Sequence, residues 1–433
     1  MKLFKRMLCL VLSLLMVFSV TSVAGAENEA VTPSDEITGF TQEDFLTTKG
    51  QKIVNQKGEE IQLKGVNLGA WLVREDWLNP DHIPAEVLAE KKYDGEMVYD
   101  KLEERFGREK AHELMTMFYE NWITEWDLDN IKSLGFNCVR VPFWYRNFYF
   151  DDNGTKILDE NGEWDFSILD WVIEECGKRE LYVILDMHGA VGSQSDAPHS
   201  GRAFAGYQLY EKSERGERYR ELTKELWTAI AGRYNGNPTV AMYDLLNEPM
   251  CDVECGEITR RINNEWMYGL LYDTVRNVDV DHIITMECIW TALALPHAFT
   301  KGWDNVVYQV HFYNNSDFIF TFFCLLTKIW HFDVPMMMGE FYPHGTTTWE
   351  NSFETMNNLD FSWMLWTYKA TGHGMWSSDW CLYGAKDGFW RADIYNGTYE
   401  EIAEAWSAER LNTQTGFQDT GHFETNVERF LGE

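Results

Sequence analysis

Thr239-Val240-Ala241-Met242-Tyr243-Asp244-Leu245-Leu246-Asn247-Glu248-Pro249 is a short apolar run that ends on a polar Asn-Glu pair. Pro238 precedes it and Pro249 closes it, so the run reads as a buried parallel strand between breakers. A Glu at the end of such a strand sits where the strand opens into a loop. In α/β barrels and open α/β sheets, that edge gathers ligands and reactive groups. Alone the signal is modest, because Asn and Pro are ordinary loop formers. Val334-Pro335-Met336-Met337-Met338-Gly339-Glu340-Phe341 repeats it, with another apolar strand delivering a Glu at its end. Two carboxylates so placed are what cleavage of a glycosidic bond requires.

Outward from these two strands the chain keeps alternating. Residues 65–69, 136–142, 181–188, 282–287, 305–311 and 362–366 read as further short apolar strands. Between and after them, spacing and charge predict helices over 99–134, 166–179, 213–234, 257–275 and 399–410, and over 317–330, which is unusually apolar. Strand and helix alternating about eight times predict an α/β fold, a single (β/α)8 TIM barrel spanning 49–410. Residues 53–63 predict a short N-terminal β-hairpin around Gly58. Residues 27–48 read as a flexible leader and 411–433 as a polar C-terminal tail.

The formal net charge of −32 repels nucleic acid and anionic lipid and suits a neutral substrate. Residues 1–26 have the form of a secretory signal peptide: Lys2, Lys5 and Arg6, then an apolar stretch, then Ala24-Gly25-Ala26. The expectation is a secreted, extracellular monomer, free of the membrane once the signal is removed. Seven cysteines remain after residue 26, mostly in apolar contexts that predict buried thiols, with Cys251 and Cys255 spaced for a local disulfide.

Polar residues recur at the predicted strand ends: Asn67 and Glu75, Arg140, His188, Asn247 and Glu248, His311 and Tyr313, Glu340, Trp366. Each has a bland structural alternative, but barrel interiors are otherwise filled with branched apolar side chains, so their coincidence at one edge points to a site. The set Asn247-Glu248-Pro249, Gly339-Glu340-Phe341, Arg140-Val141-Pro142, Asp186-Met187-His188-Gly189 and His311-Phe312-Tyr313 resembles glycoside hydrolase family five. Gly65 to Glu75, His188 to Gln194 and Trp366 to Lys369 look like its exo-β-1,3-glucanase and β-glucosidase branch, with departures at Ala70, Val191 and Trp144-Tyr145-Arg146.

The resemblance implies retaining hydrolysis of a β-glycosidic bond in an oligo- or polysaccharide, with no metal and no organic cofactor. Glu340 is then the nucleophile and Glu248 the proton donor and base. Arg140 keeps Glu340 ionised, Tyr313 hydrogen-bonds it, and Asn247 holds the sugar 2-hydroxyl. His188 and His311 position the sugar and tune the acid, Trp366 floors the site, and Glu75 and Trp77 line its far side. The loop 195–201 walls the pocket. Such an acid is expected to have a raised pKa, from its apolar strand end and the charge of Glu340. An endo-β-1,4-glucanase or mannanase of the same family stays open, as does a carbohydrate-binding barrel without catalysis.

Overall fold

The computed structural model describes residues 39–250, 256–289, 292–313, 316–344, 346–372 and 380–432. The expected signal peptide, most of the leader, and Cys251 and Cys255 lie outside the described residues. Eight parallel strands close into a barrel. They are β1 (Lys64–Asn67), β2 (Cys138–Trp144), β3 (Tyr182–Gly189), β4 (Val240–Asp244), β5 (Ile283–Glu287), β6 (Val306–His311), β7 (Met336–Phe341) and β8 (Ser362–Leu365). Each pairs with its neighbours in sequence, and β8 returns to β1 through Trp363 and Lys64. All eight are buried along their length, as expected for strands covered by helices.

The helices α1 (Gly95–Phe106), α2 (Arg108–Trp122) and α3 (Glu125–Ser133) divide the single helical stretch expected before β2. The Asp94 side chain caps α1 by accepting from Met97 N at 2.8 Å, and a Thr124–Asp127 capping box starts α3. Then come α4 (Ser167–Lys178), α5 (Glu214–Tyr234), α6 (Glu257–Arg276), α7 (Asp317–Trp330) and α8 (Trp349–Asn358). Among the described residues no helix is long and apolar enough to cross a membrane.

Both ends of the chain differ from the sequence reading. The hairpin forms from Thr47–Lys49 and Lys52–Val54 around Gly50, and Val54 meets Glu60 only as an isolated bridge. The reason lies in the floor of the barrel. Leu46, Ile53 and Leu63 pack there against Cys138, Ile184, Met242, Val307, Met337 and Met364, plugging the barrel at its N-terminal end. Burying each such aliphatic side chain contributes about 1.5–3 kcal/mol. The last part of the presumed leader is therefore built in, with a Thr41–Asp44 capping box and Phe40 stacked on Tyr182 at 4.2 Å. The polar tail is likewise packed. Phe417–Asp419 pairs with Tyr383–Ala385, and Phe423, Val427 and Phe430 recur at helical spacing and are buried. The buried Lys64 ammonium donates to Phe430 O at 2.8 Å.

Candidate active site

Side chains alternate along a strand, so every second residue of each barrel strand points inward. Above the apolar floor of Cys138, Ile184, Met242 and Val307, the next inward positions are Arg140, Asp186, Asp244 and Gln309, all fully buried. The inward positions beyond those are His188 and His311. By the same count Glu340 would face outward, because Met337 and Gly339 point in. The register of β7 shifts between Met338 and Glu340 against β6, and between Met338 and Phe341 against β8. This bulge turns Glu340 into the barrel mouth and sends Phe341 outward onto Phe353. Gly339 makes the turn possible, since a Cβ there would sit 1.9 Å from Gln309 Oε1 and 2.7 Å from His311 Nε2.

Arg140 is the hub of the buried charges. Its guanidinium donates to Glu340 Oε1, Asp244 Oδ2 and Asn247 Oδ1, each at 2.9 Å, and to Asn67 Oδ1 at 3.0 Å. Asp186 Oδ2 also lies 3.0 Å from it. Burial disfavours the cation, but Asp186, Asp244 and Glu340 outweigh burial and raise its proton affinity. The second Glu340 oxygen accepts from Tyr313 OH at 2.9 Å. His188 is neutral, brought down to about 3 by burial. Its Nδ1–H donates to Asp186 Oδ2 at 2.6 Å, which leaves Nε2 to accept from Asn247 Nδ2 at 3.2 Å. That chain fixes which way the Asn247 amide points. The His188 ring stacks on Trp366, and a cis peptide joins Trp366 to Thr367.

Glu248 sits at φ 38°, a left-handed conformation unusual for a residue with a side chain and frequent at functional sites. Its backbone N–H donates to Glu287, a fully buried carboxylate at the end of β5. His311 Nδ1 lies 3.0 Å from Glu248 Oε1, 3.4 Å from Glu287 Oε1 and 3.5 Å from Glu340 Oε2. The expectation of a raised Glu248 is not met. Burial pushes its carboxyl up, but His199, 3.5 Å away, and His311 outweigh burial and bring it down to about 2. Correspondingly His311 is held down by burial but lifted by Glu287, Glu340 and Glu248 to about 9. Burial drives Glu287 well above the usual carboxylate range. The three groups hold their protons as one unit, and at rest the proton an acid needs is on the imidazole.

This cluster ties folding to pH. An unfolded His binds its proton only below about 6.5, whereas folded His311 keeps it up to about 9. Its contribution to stability is complete below about pH 6.5 and lost as pH rises through 9. Urea melts across that window should show wild-type stability falling and His311→Gln falling less; equal slopes would place the proton elsewhere.

Glu75, Trp77, His188, Asn247, Glu248, Tyr313, Glu340 and Trp366 line one cavity of about 350 Å³, so eight of the expected residues converge. Arg140 and His311 do not line it. They lie buried beneath it, Arg140 against Glu340 and His311 against Glu248. Burial and the charge of Glu340 push Glu75 to about 8, so it is a neutral hydrogen-bond donor in mild acid. His199, from the predicted wall loop, and His344 and Trp380 complete the lining. Trp380 stacks on Tyr313 at 5.4 Å and on Tyr342 at 5.1 Å.

Sequence reasoning missed Trp380, His344 and Glu287, though Glu287 carried the same signal as the two expected glutamates, an acid at a strand end. Glu248, Glu287 and His311 also offer three ligand atoms within 4.8 Å of one another, as do His297, His331 and Asp333 near the end of α7. A larger cavity of about 650 Å³ lies on the outer wall beside α2, α3 and α4, away from the carboxylates.

A family model described as cellulase (glycosyl hydrolase family 5) matches residues 104–372, more than half of the chain. A β-xylosidase from Phanerodontia chrysosporium is 31% identical over 274 residues, 62% of this chain and 52% of that protein. A glucan 1,3-beta-glucosidase from Candida oleophila is 29% identical over 221 residues, 50% of this chain and 48% of that protein. The chain spans about half the length of the curated relatives it matches. The crystal structure of a rutinosidase from Aspergillus niger shares the fold, with TM-score 0.55 and 16% identity over 74% of this chain and 95% of that one. The matched span holds seven of the eight strands and, of the pocket's glutamates, Glu248 and Glu340, and the chain belongs to glycosyl hydrolase family 5.

Proposed function

We propose that the chain is a secreted, retaining β-glycoside hydrolase that removes single sugars from the ends of β-glucan or β-glucoside chains. The observation that carries this is the approach of Glu248 and Glu340 to one His311 nitrogen. Their nearest oxygens can be no farther apart than the sum of 3.0 and 3.5 Å. That is the lower edge of the roughly 6.5–9.5 Å that an inverting pair needs to admit a water, and it favours direct attack by a carboxylate.

Glu340, held on one oxygen by Arg140 and on the other by Tyr313, attacks the anomeric carbon. The bond to the departing oxygen breaks as Glu248 protonates it. Sugar binding dries the pocket, and the His311 proton passes to Glu248 Oε1 along their hydrogen bond. Water then attacks the glycosyl-enzyme, Glu248 takes its proton, and Glu340 is released. Asn247, oriented by His188 and Arg140, receives the 2-hydroxyl, while Trp366 and Trp77 offer apolar ring surface and neutral Glu75 donates to a hydroxyl.

Action from a chain end is supported by the similarity to proteins named glucan 1,3-beta-glucosidase. Export is supported by the form of residues 1–26. Digests of laminarin, cellulose, mannan and aryl glycosides, followed by NMR of the fresh product, test the proposal. The expected result is a single sugar, released first as its β-anomer, from laminarin or aryl glucosides. Oligosaccharide mixtures from cellulose or mannan would make the enzyme endo-acting, and an initial α-anomer would remove the retaining mechanism.

A further inference from the structure

Helix α7 reads Asp-Phe-Ile-Phe-Thr-Phe-Phe-Cys-Leu-Leu-Thr-Lys-Ile-Trp, yet only Phe320, Cys324 and Thr327 are buried against the barrel. Phe318 (69% exposed), Ile319, Phe322, Leu326, Ile329 (56%) and Trp330 are exposed. Positions 318, 322, 326 and 329 follow the helical repeat, so they form one outward stripe. The stripe continues past the helix. His297 stacks on Trp330 at 5.5 Å and on Phe299 at 5.5 Å, and lies 5.3 Å from Phe332. Phe299 and Phe332 are themselves 63% and 58% exposed. The helix carries only two charges, Asp317 and Lys328, and Lys328 is turned inward to Leu359 O. Among the described residues a second exposed apolar row, Ile258, Ile262 and Trp266 on α6, is shorter and is flanked by the charged Glu257, Arg261 and Glu265.

Large side chains expose about 150–250 Å² each when free, so this stripe presents roughly 800 Å² of apolar surface. An ordinary monomer's largest patch is about 300–600 Å², whereas a stable complex buries about 800 Å² on each partner. We propose that the α7 face is the two-fold interface of a homodimer of this chain. A two-fold contact uses the same patch on both copies, and two nearly neutral patches meet without pressing the acidic surfaces together. An anionic lipid surface is the poorer occupant, because the negative charge surrounding the patch repels it.

Sedimentation equilibrium of the chain beginning at Glu27, over nanomolar to micromolar concentrations, tests the proposal. The expected mass is twice that of one chain. Phe322→Glu combined with Ile329→Glu should give the single mass with unchanged kcat/KM, since neither residue lines the pocket. Should that variant fold poorly, Leu326→Cys gives a second reading, because a two-fold axis on the stripe brings the two new thiols together and oxidation should link the chains. A single mass at micromolar concentration with no cross-link would overturn the proposal. So would a monomer that binds phosphatidylserine vesicles through the stripe, or one that dimerises equally well with both glutamates in place.

Discussion

Replacing Glu340 by glutamine is expected to lower kcat by about 10⁴-fold or more while leaving the melting transition close to wild type. The amide keeps the shape and retains one oxygen to accept from Arg140, 2.9 Å from the present carboxylate. It has no anionic lone pair with which to attack, so the glycosyl-enzyme does not form. Mass spectrometry of the wild type with an activated fluoro-sugar should show a covalent adduct on the peptide containing Glu340, and the variant should show none. Azide should not restore β-configured product in the variant. Activity within tenfold of wild type would end the assignment of Glu340 as nucleophile.

Glu248→Ala should divide substrates by their leaving group. For alkyl or sugar leaving groups, the loss of proton donation costs about 10²–10⁴-fold. A nitrophenolate leaves without a proton, so the first step on such a substrate should survive and the glycosyl-enzyme should accumulate, seen as a burst followed by slow turnover. Azide should then relieve the second step and yield a β-glycosyl azide, because it needs no base. Equal losses on both kinds of substrate would mean that Glu248 is not the acid. The His311–Glu248 hydrogen bond adds a refinement. With Glu248 removed, His311 keeps Glu287 and Glu340 as neighbours, so the loss should come from chemistry and not from a collapse of the cluster.

The strand-end motifs made both fold and chemistry legible. β4 and β7 were readable because a buried parallel strand is a bare apolar run, and its terminal Asn247-Glu248 or Gly339-Glu340 breaks that run sharply. What stayed hidden depended on partners far away in sequence. Nothing local says that Arg140 serves Asp186 and Asp244 as well as Glu340, or that His311 and His199 outweigh burial at Glu248. The hairpin was displaced toward the N-terminus for a similar reason. Leu46 and Ile53 sit in segments with unremarkable patterns, and only the closed barrel supplies the cavity that they fill. The tail looked polar on average, although Phe417, Phe423, Val427 and Phe430 carried a helical and strand-like pattern that composition blurred.

The bulge in β7 has a consequence for anyone moving this chemistry to another scaffold. A glutamate grafted at the end of a regular barrel strand, one place after an inward residue, would face the surrounding helices and do nothing. Deleting Gly339 from this chain would restore the regular count and leave Glu340 pointing inward, but one residue lower, in a place where a Cβ meets Gln309 Oε1 at 1.9 Å and His311 Nε2 at 2.7 Å, so every reactive residue would be present and the nucleophile out of position. Reactivity here is thus partly a matter of how many residues the strand contains, a property that a substitution scan never samples and that a single-residue deletion or insertion does.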